Sequence, residues 1–587
     1  MPITEITIEN FKGISFPVEI PLRPITLLFG GNSAGKSTIL QALHLFKEVL
    51  RTGSSEVDKL IPGTPNLDIG GFKQYVHNGN LDQTVKISVT MSVDDDGLPA
   101  YHIPHTSEEE GNTIDTTSVD LNVSTIGIEI EIRFDRTRNR SFVSGYRTLI
   151  DGHEFSLIFK EESAAIPKLL QFNYLIPCIS QTVEELFPDD DLGGPFKRFM
   201  QQFACEEVLD AVNQETSHYR HNSPSPSATA TIIEDYEDEI EPYEEWIPRV
   251  WIPMELFLTE KPIIPEARKP FFRDAENNLM HDVEYGAVID WLFTRIITGS
   301  ADLIRDELEG TRYIGSLRTI PERGYQGQSS ISPDRWANGL AAWDLLSRAT
   351  TDNKWLNPDS VNSLELGCLM DKLPESSSAP LNHNEIFAKL NAHTAEFTQL
   401  IADGKEHTKE MATAIKGIQQ CSRELENMSF DSHQSTIPLT TLNGNTKVAP
   451  CDVGVGVSQV IPVVIGVMEP SHSILMIEQP ELHIHPQVQC NLAEILAHQA
   501  VKNPSKIQLL ETHSEHLILR LLRRIRELNE GELPDGAPKL TPAHLSVLYV
   551  NQASYGVEVT DQGVTETGSF KNRWPNGFFS ERADELF

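Results

Sequence analysis

The chain has 587 residues, room for several domains, and its 39% apolar and 23% charged content is ordinary for a globular protein. No run of about 20 apolar residues occurs, which excludes a spanning helix; the start Met1-Pro2-Ile3-Thr4-Glu5 lacks the features of a signal peptide, and the six cysteines are scattered without a CxxC pair, so a reducing cytoplasm is expected rather than a disulfide frame or zinc site. The formal charge of -37 repels nucleic acid on average and favours a basic protein partner over nonspecific coating of DNA, while leaving room for a local basic patch.

In chain order, Ile3 to Phe11 alternates apolar and polar residues with period two and is predicted to be a strand. Pro24 to Phe29 is a short apolar strand running into the glycine loop Gly30-Gly31-Asn32-Ser33-Ala34-Gly35-Lys36-Ser37-Thr38. From Thr38 to Leu50 the apolar residues Ile39, Leu40, Ala42, Leu43, Leu45 and Phe46 fall at helical spacing. The loop therefore sits between a strand and a helix. Val85 to Val89 and Ile126 to Ile132 read as antiparallel strands, divided by a polar gap around Glu108-Glu109-Glu110.

Residues 216–247 differ in kind: Ser223-Pro224-Ser225-Pro226-Ser227 leads into the acidic run Glu234 to Glu239, then Glu241, Glu244 and Glu245. Such a segment is either a solvated loop or a docking site for a basic partner. Residues 283–310, 334–349 and most of 384–428 are predicted helical, without a sustained heptad repeat and hence without a long coiled-coil arm. The domain expectation is an N-terminal lobe with the glycine loop (1–80), a β-rich part (81–215), the acidic insertion (216–247), a helical insertion (248–440) and a C-terminal lobe (441–587).

Gly30-x-x-x-x-Gly35-Lys36-Ser37 has the phosphate-loop pattern, and each residue has a chemical reason. Glycines allow close backbone approach. Amides from Asn32 through Thr38 would converge on phosphate oxygens, aided by the positive end of the following helix. Lys36 supplies a cation for the β- and γ-phosphates, and the Ser37 hydroxyl is placed to ligate Mg2+. ATP with Mg2+ is the expected ligand.

Such a site also needs an acid at the end of a buried strand. Ser473 to Ile477 is such a strand and ends at Glu478, continuing Gln479-Pro480-Glu481-Leu482-His483-Ile484-His485-Pro486. Upstream stands Asp452-Val453-Gly454-Val455-Gly456-Val457-Ser458-Gln459, and downstream Ile507 to Ser514 is a strand ending in His513. This order resembles the ATPase heads of the ABC/SMC superfamily. Within it, the wording of Ile8 to Gly13, Glu478 to Pro486, Thr512 to Leu517 and Arg573 to Phe579 is similar to that of AAA-type ATPases of the OLD-like group; Tyr313-Ile314-Gly315-Ser316-Leu317-Arg318 matches more weakly. The resemblance covers about 1–80 and 310–587. It implies an α/β, two-lobed P-loop head with a mixed sheet, split by a large β-rich and helical insertion.

The resemblance also implies roles. Ser458, with Gly454, Gly456 and Gln459, resembles the signature that meets the γ-phosphate held by the other protomer. Glu478 falls at the Mg2+-coordinating acid, His513 at the switch histidine, and Leu482 to His485 at the loop crossing the dimer interface. Gln74 stands where a Q-loop glutamine would reach the metal. The family's acidic pair is here Glu478-Gln479, and a glutamine positions water without taking its proton at neutral pH. Glu481 lies near enough in sequence to substitute, and slow hydrolysis is the expectation.

Three further groupings were weighed. His483, His485, His513 and His516 would make a metal site only with a further ligand. Arg520, Arg523 and Arg524 share a helix face, either solvated and paired with carboxylates or touching DNA. After His513 there is no Asp-x-Asp of a metal-dependent nuclease, so no nuclease is expected. The resemblance implies a homodimeric or larger ATPase that regulates a separately encoded protein effector in bacterial anti-phage defence, in the cytoplasm and away from membranes. The alternative is a DNA-repair or chromosome-maintenance ATPase of SMC or recombination type.

Overall fold

The computed structural model describes residues 2–52, 69–94, 97–99, 121–160, 168–172, 176, 178–179, 182, 256–257, 292–323, 325, 327–328, 331–347, 368–370, 416, 439–441 and 447–574. The acidic run of 216–247, the polar gap at Glu108 to Glu110, the stretch 384–428 apart from Lys416, and Pro575 to Phe579 lie outside them. The chain divides into two compact units: residues 1–316, 471–481 and 493–587 form the first, residues 317–470 and 482–492 the second. Among the described residues no helix is long and apolar enough to cross a membrane.

The first unit contains two sheets. Its eight-stranded antiparallel sheet uses β1 (Ile3–Glu9), β2 (Val18–Pro21), β4 (Val85–Ser92), β5 (Thr125–Asp135), β6 (Arg140–Ile150), β7 (His153–Phe159), β8 (Lys168–Phe172) and β9 (Leu256–Phe257), in the order β2-β1-β4-β5-β6-β7-β8-β9. Alternation explains the placing: in β4, Val85, Ile87, Val89 and Met91 are buried while the residues between are partly exposed.

The six-stranded sheet has the order β10-β14-β15-β3-β16-β17. Its strands are β3 (Ile25–Phe29), β10 (Arg312–Ile314), β14 (Ile474–Glu478), β15 (Ile507–Glu511), β16 (Leu545–Ala553) and β17 (Gly556–Asp561). β10, β14, β15, β3 and β16 run parallel. β3 and β15 are buried at every residue, as strands covered on both faces require. This is a P-loop ATPase arrangement: the strand before the glycine loop is separated from the strand ending in Glu478 by one further strand, β15.

Helix α1 (Lys36–Thr52) follows the glycine loop and buries Ile39, Leu40, Ala42, Leu43, Leu45 and Phe46, the stripe anticipated from spacing. A single turn, α2, spans Phe72–Tyr75. The region predicted helical at 283–310 is described from 292, with a π-turn at Thr294–Thr298 leading into α3 (Gly299–Glu309). In the second unit, 334–349 is not one helix. It splits into α4 (Pro333–Ala337) and α5 (Leu340–Ser347), because Gly339 adopts φ 79° between them. α6 (Val455–Met468) is buried at every residue from Ser458 onward and packs on α5. A small antiparallel sheet joins β11 (Cys368–Met370), β12 (Leu439–Thr441) and β13 (Lys447–Val448). Helix α7 spans Pro486–Lys502. α8 (Glu515–Glu530) starts at Ser514, whose Oγ accepts from the Leu517 amide at 2.9 Å, and stops at Gly531 with φ 72°.

Candidate functional site

Because β3, β14 and β15 are parallel, their C-terminal ends meet on one edge of the sheet, and the register sets Glu478 beside Glu511 and Glu511 beside Leu28. The glycine loop leaves β3 on that edge. Gly30 has φ 147°, and a Cβ there would stand 2.1 Å from the Val550 carbonyl oxygen of β16, so no other residue fits. Gly31, Asn32 and Ser33 are exposed, while Ala34 and Lys36 are buried. Lys36 Nζ donates to the carbonyls of Gly30 at 3.1 Å and Gly31 at 2.9 Å. Burial lowers its pKa, opposed by the charge of Glu511 and its hydrogen bond, and by Glu481.

The Ser37 hydroxyl donates to Glu511 Oε2 at 2.6 Å, and Glu511 Oε1 lies 3.7 Å from Lys36 Nζ. Glu511 was not singled out in the sequence. The signal existed, since it ends a buried apolar strand as Glu478 does, but that strand was read for its histidine. Glu478 Oε1 accepts from the Tyr313 hydroxyl at 2.8 Å. Burial raises the Glu478 pKa; hydrogen bonds from Tyr313 and Ser316 oppose this, and the neighbouring Glu511 adds to it. Gln479 has φ 42° and donates its amide to the Glu511 carbonyl at 2.7 Å.

Glu481 accepts from the Thr512 hydroxyl at 2.8 Å through Oε2 and from the His513 amide at 2.7 Å through Oε1. Both oxygens hold the segment carrying His513, a role different from the water-activating one weighed for Glu481. Burial, with the charge of Lys36, lowers the His513 pKa, and Glu511 partly opposes this. Its Nε2 is buried with no hydrogen-bond partner among the described residues.

The donor set fits magnesium and a polyphosphate. The Ser37 hydroxyl and the Glu478 and Glu511 carboxylates are hard oxygen donors, and the Gly30 loop admits no Cβ. Among the described residues no group of three His, Cys, Asp or Glu side chains stands together to hold an ion unaided. Mg2+ takes one or two carboxylates and completes its shell with phosphates and water.

Gln74 and Ser458 both have partners within the protein. Gln74 is exposed, and its side-chain oxygen accepts from the Gly71 amide at 2.8 Å. That oxygen caps its own short helix rather than being offered to a metal. Ser458 is fully buried, with its hydroxyl donated to the Pro450 carbonyl at 2.9 Å, because that buried carbonyl needs a donor. Gln459 is also buried, donating Nε2 to the Arg318 carbonyl at 2.8 Å. What the second unit presents is the turn before them, where Gly454 and Val455 are exposed. At Gly456 a Cβ would stand 2.4 Å from the His483 carbonyl oxygen, so the start of α6 and the His483 segment touch backbone to backbone.

The arginine face of α8 is already paired. Arg520 and Arg524 each reach Glu494 at 2.8 Å, and Arg523 reaches Glu527 at 2.6 Å, with Arg524 bonded to Glu527 as well.

A family model described as AAA ATPase domain matches residues 1–185 and 350–518. No curated protein matches the chain significantly. Solved structures that match include the Smc head domain with an extended coiled coil bound to the C-terminal domain of ScpA, from Pyrococcus furiosus, at 9% identity and TM-score 0.34, covering 96% of this chain and 97% of that one. A Smc head bound to the C-terminal winged-helix domain of ScpA matches at 9% identity and TM-score 0.29, covering 96% and 99%. The SMC head domain from Thermotoga maritima matches at 7% identity and TM-score 0.32, covering 96% and 100%.

Proposed function

The chain belongs to the AAA ATPase domain family, and on that premise we propose that it binds ATP with Mg2+ at the Lys36 loop, hydrolyses it slowly, and uses a head-to-head dimer to regulate a separate protein effector. The observation that carries this reading is the gathering of Lys36, Ser37, Glu478, Glu511 and His513 at one edge of the sheet. Lys36 and the loop amides hold the triphosphate. Ser37 and Glu478 would hold the Mg2+, whose charge would neutralise the phosphates. His513, whose Nε2 has no hydrogen-bond partner among the described residues, senses the terminal phosphate.

Slow turnover follows from the acids. Gln479 cannot take a proton from water, and both oxygens of Glu481 hold Thr512 and His513. Hydrolysis would then time a switch rather than drive a motor. Steady-state phosphate release measures this, and a rate like that of a fast transporter ATPase would sink it. Lys36→Ala is the test of the site itself: ATP binding should disappear, and its retention would contradict the assignment.

The signature turn at Gly454 to Gly456 is the surface offered to a nucleotide held by a second copy. The acidic segment 216–247 supplies charge for docking a basic effector. An anti-phage role rests on the motif resemblance to OLD-like ATPases, and a nuclease or toxin gene beside this one would support it. The alternative, a DNA-repair or chromosome-maintenance ATPase, loses weight because the arginines of α8 already neutralise Glu494 and Glu527. Salt-dependent, ATP-stimulated DNA binding would restore it.

A further inference from the structure

We propose that Glu511 is a positioning residue for the divalent cation of bound ATP, orienting the Ser37 hydroxyl and making nucleotide binding depend on that cation. The inference rests on the ATP-Mg reading above.

A serine hydroxyl has one proton and two lone pairs. At Ser37 the proton is committed to Glu511 Oε2 at 2.6 Å, which turns the lone pairs away from Glu511 and leaves them for a cation. A carboxylate acceptor also makes that oxygen a better donor to a metal, as outer partners of metal ligands do. Glu511 rather than Glu478 performs this task because β15 lies between β14 and β3. Glu511 is thus on the strand adjoining the phosphate loop, and Glu478 one strand further away, held by Tyr313.

The second half of the inference is electrostatic. Glu511 is buried, with 8% of its surface exposed, and lies 3.7 Å from Lys36 Nζ, the amine that receives the phosphates. A triphosphate arriving alone meets a poorly screened negative charge beside its own binding lysine. A divalent cation bound with the nucleotide would turn that repulsion into attraction. Glu511 therefore separates ATP-Mg from metal-free ATP.

The experiment uses the full chain and Mn2+ as the probe. Mn2+ affinity is read by electron paramagnetic resonance at saturating ATP, and ATP affinity by calorimetry in Mn2+ and in EDTA. Glu511→Gln keeps an oxygen that can accept from Ser37 but removes the charge. It is expected to weaken Mn2+ binding about 10–100-fold, in the range of losses at outer partners of metal ligands, while metal-free ATP binds more tightly than to the wild type. Glu511→Asp keeps the charge, withdrawn by one methylene, and should show the same changes to a smaller degree. A purely structural ion pair with Lys36 would weaken ATP binding equally in both conditions. That result, or Mn2+ affinity unchanged in Glu511→Gln, overturns the proposal. Should Glu511→Gln not fold, unchanged Mn2+ affinity in Glu511→Asp overturns it. Lys36→Ala separates the two levels: retained ATP binding would overturn the nucleotide-site reading itself, whereas its loss leaves that reading standing whatever Glu511 does.

Discussion

His513 donates its main-chain N–H to Glu481 Oε1 at 2.7 Å. With the Thr512 hydroxyl on Oε2, one carboxylate fixes the two residues that follow β15. The segment after β14 and the segment carrying His513 are therefore one mechanical piece. Glu481→Ala is expected to leave the His513 amide and Thr512 hydroxyl without their acceptor, lowering stability by about 1–3 kcal/mol for each buried group left unpaired. Turnover should fall while ATP binding persists. Denaturant unfolding, ATP calorimetry and phosphate release check the three parts; unchanged turnover would show that His513 does not need this anchor.

Gln479→Glu restores a proton acceptor at the second position of the acidic pair. Glutamate is nearly isosteric with glutamine, so the residue's φ of 42° imposes the same demand on both. General-base catalysis contributes about 10²–10⁴-fold, and the variant should hydrolyse ATP faster by a measurable part of that factor. Single-turnover phosphate release is the readout. No acceleration would mean that residue 479 does not face the attacking water.

His44, on α1, ties stability to pH. Burial pushes its pKa down to about 4, with Glu48 opposing and Lys47 and Arg51 reinforcing. The unfolded chain binds a proton near the ordinary value of about 6.5, the folded protein only near 4. The stability contribution is therefore complete above about pH 6.5 and is lost as the pH falls toward 4, amounting to at most about 3 kcal/mol. His44→Gln should flatten this part of the pH profile in denaturant unfolding between pH 7 and 4. An unchanged profile would contradict it.

In the second unit, Asp344 is fully buried and accepts from Tyr325 at 2.6 Å, the Gln328 amide at 2.8 Å and Arg335 Nε at 2.5 Å. Asp344→Asn leaves the Arg335 cation without its counter-charge, which costs about 3–5 kcal/mol when a buried pair is broken. A lower denaturant midpoint is expected, and a midpoint within error of wild type would show that the region relaxes around the arginine.

What could be read from the sequence was local. The phosphate loop declares itself because its chemistry lies within Gly30 to Thr38, and β3, β14 and β15 because buried parallel strands are short and mostly apolar, interrupted only by Thr26 in β3 and Gln508 in β15 before the acids that end β14 and β15. Contacts set by strand order could not be read. Ser37 and Glu511 meet only because β15 adjoins β3, and no spacing along the chain encodes that adjacency. The orientations of Ser458 and Gln74 are hidden from the sequence for a related reason. Their residue types suit a nucleotide site, but hydrogen bonds to the Pro450 carbonyl and the Gly71 amide decide where their polar atoms point.

The order of the six-stranded sheet has a consequence for synthesis. β3 lies between β15, from residues 507–511, and β16, from residues 545–553, although it emerges from the ribosome near the start of the chain. At about 5–20 residues per second, this strand, buried at every residue in the folded protein, waits tens of seconds without either neighbour. Nascent chains of this protein are thus candidates for chaperone retention until β15 and β16 have been made, and the competence to bind nucleotide arrives only then, as a signal that the polypeptide has been made through β16.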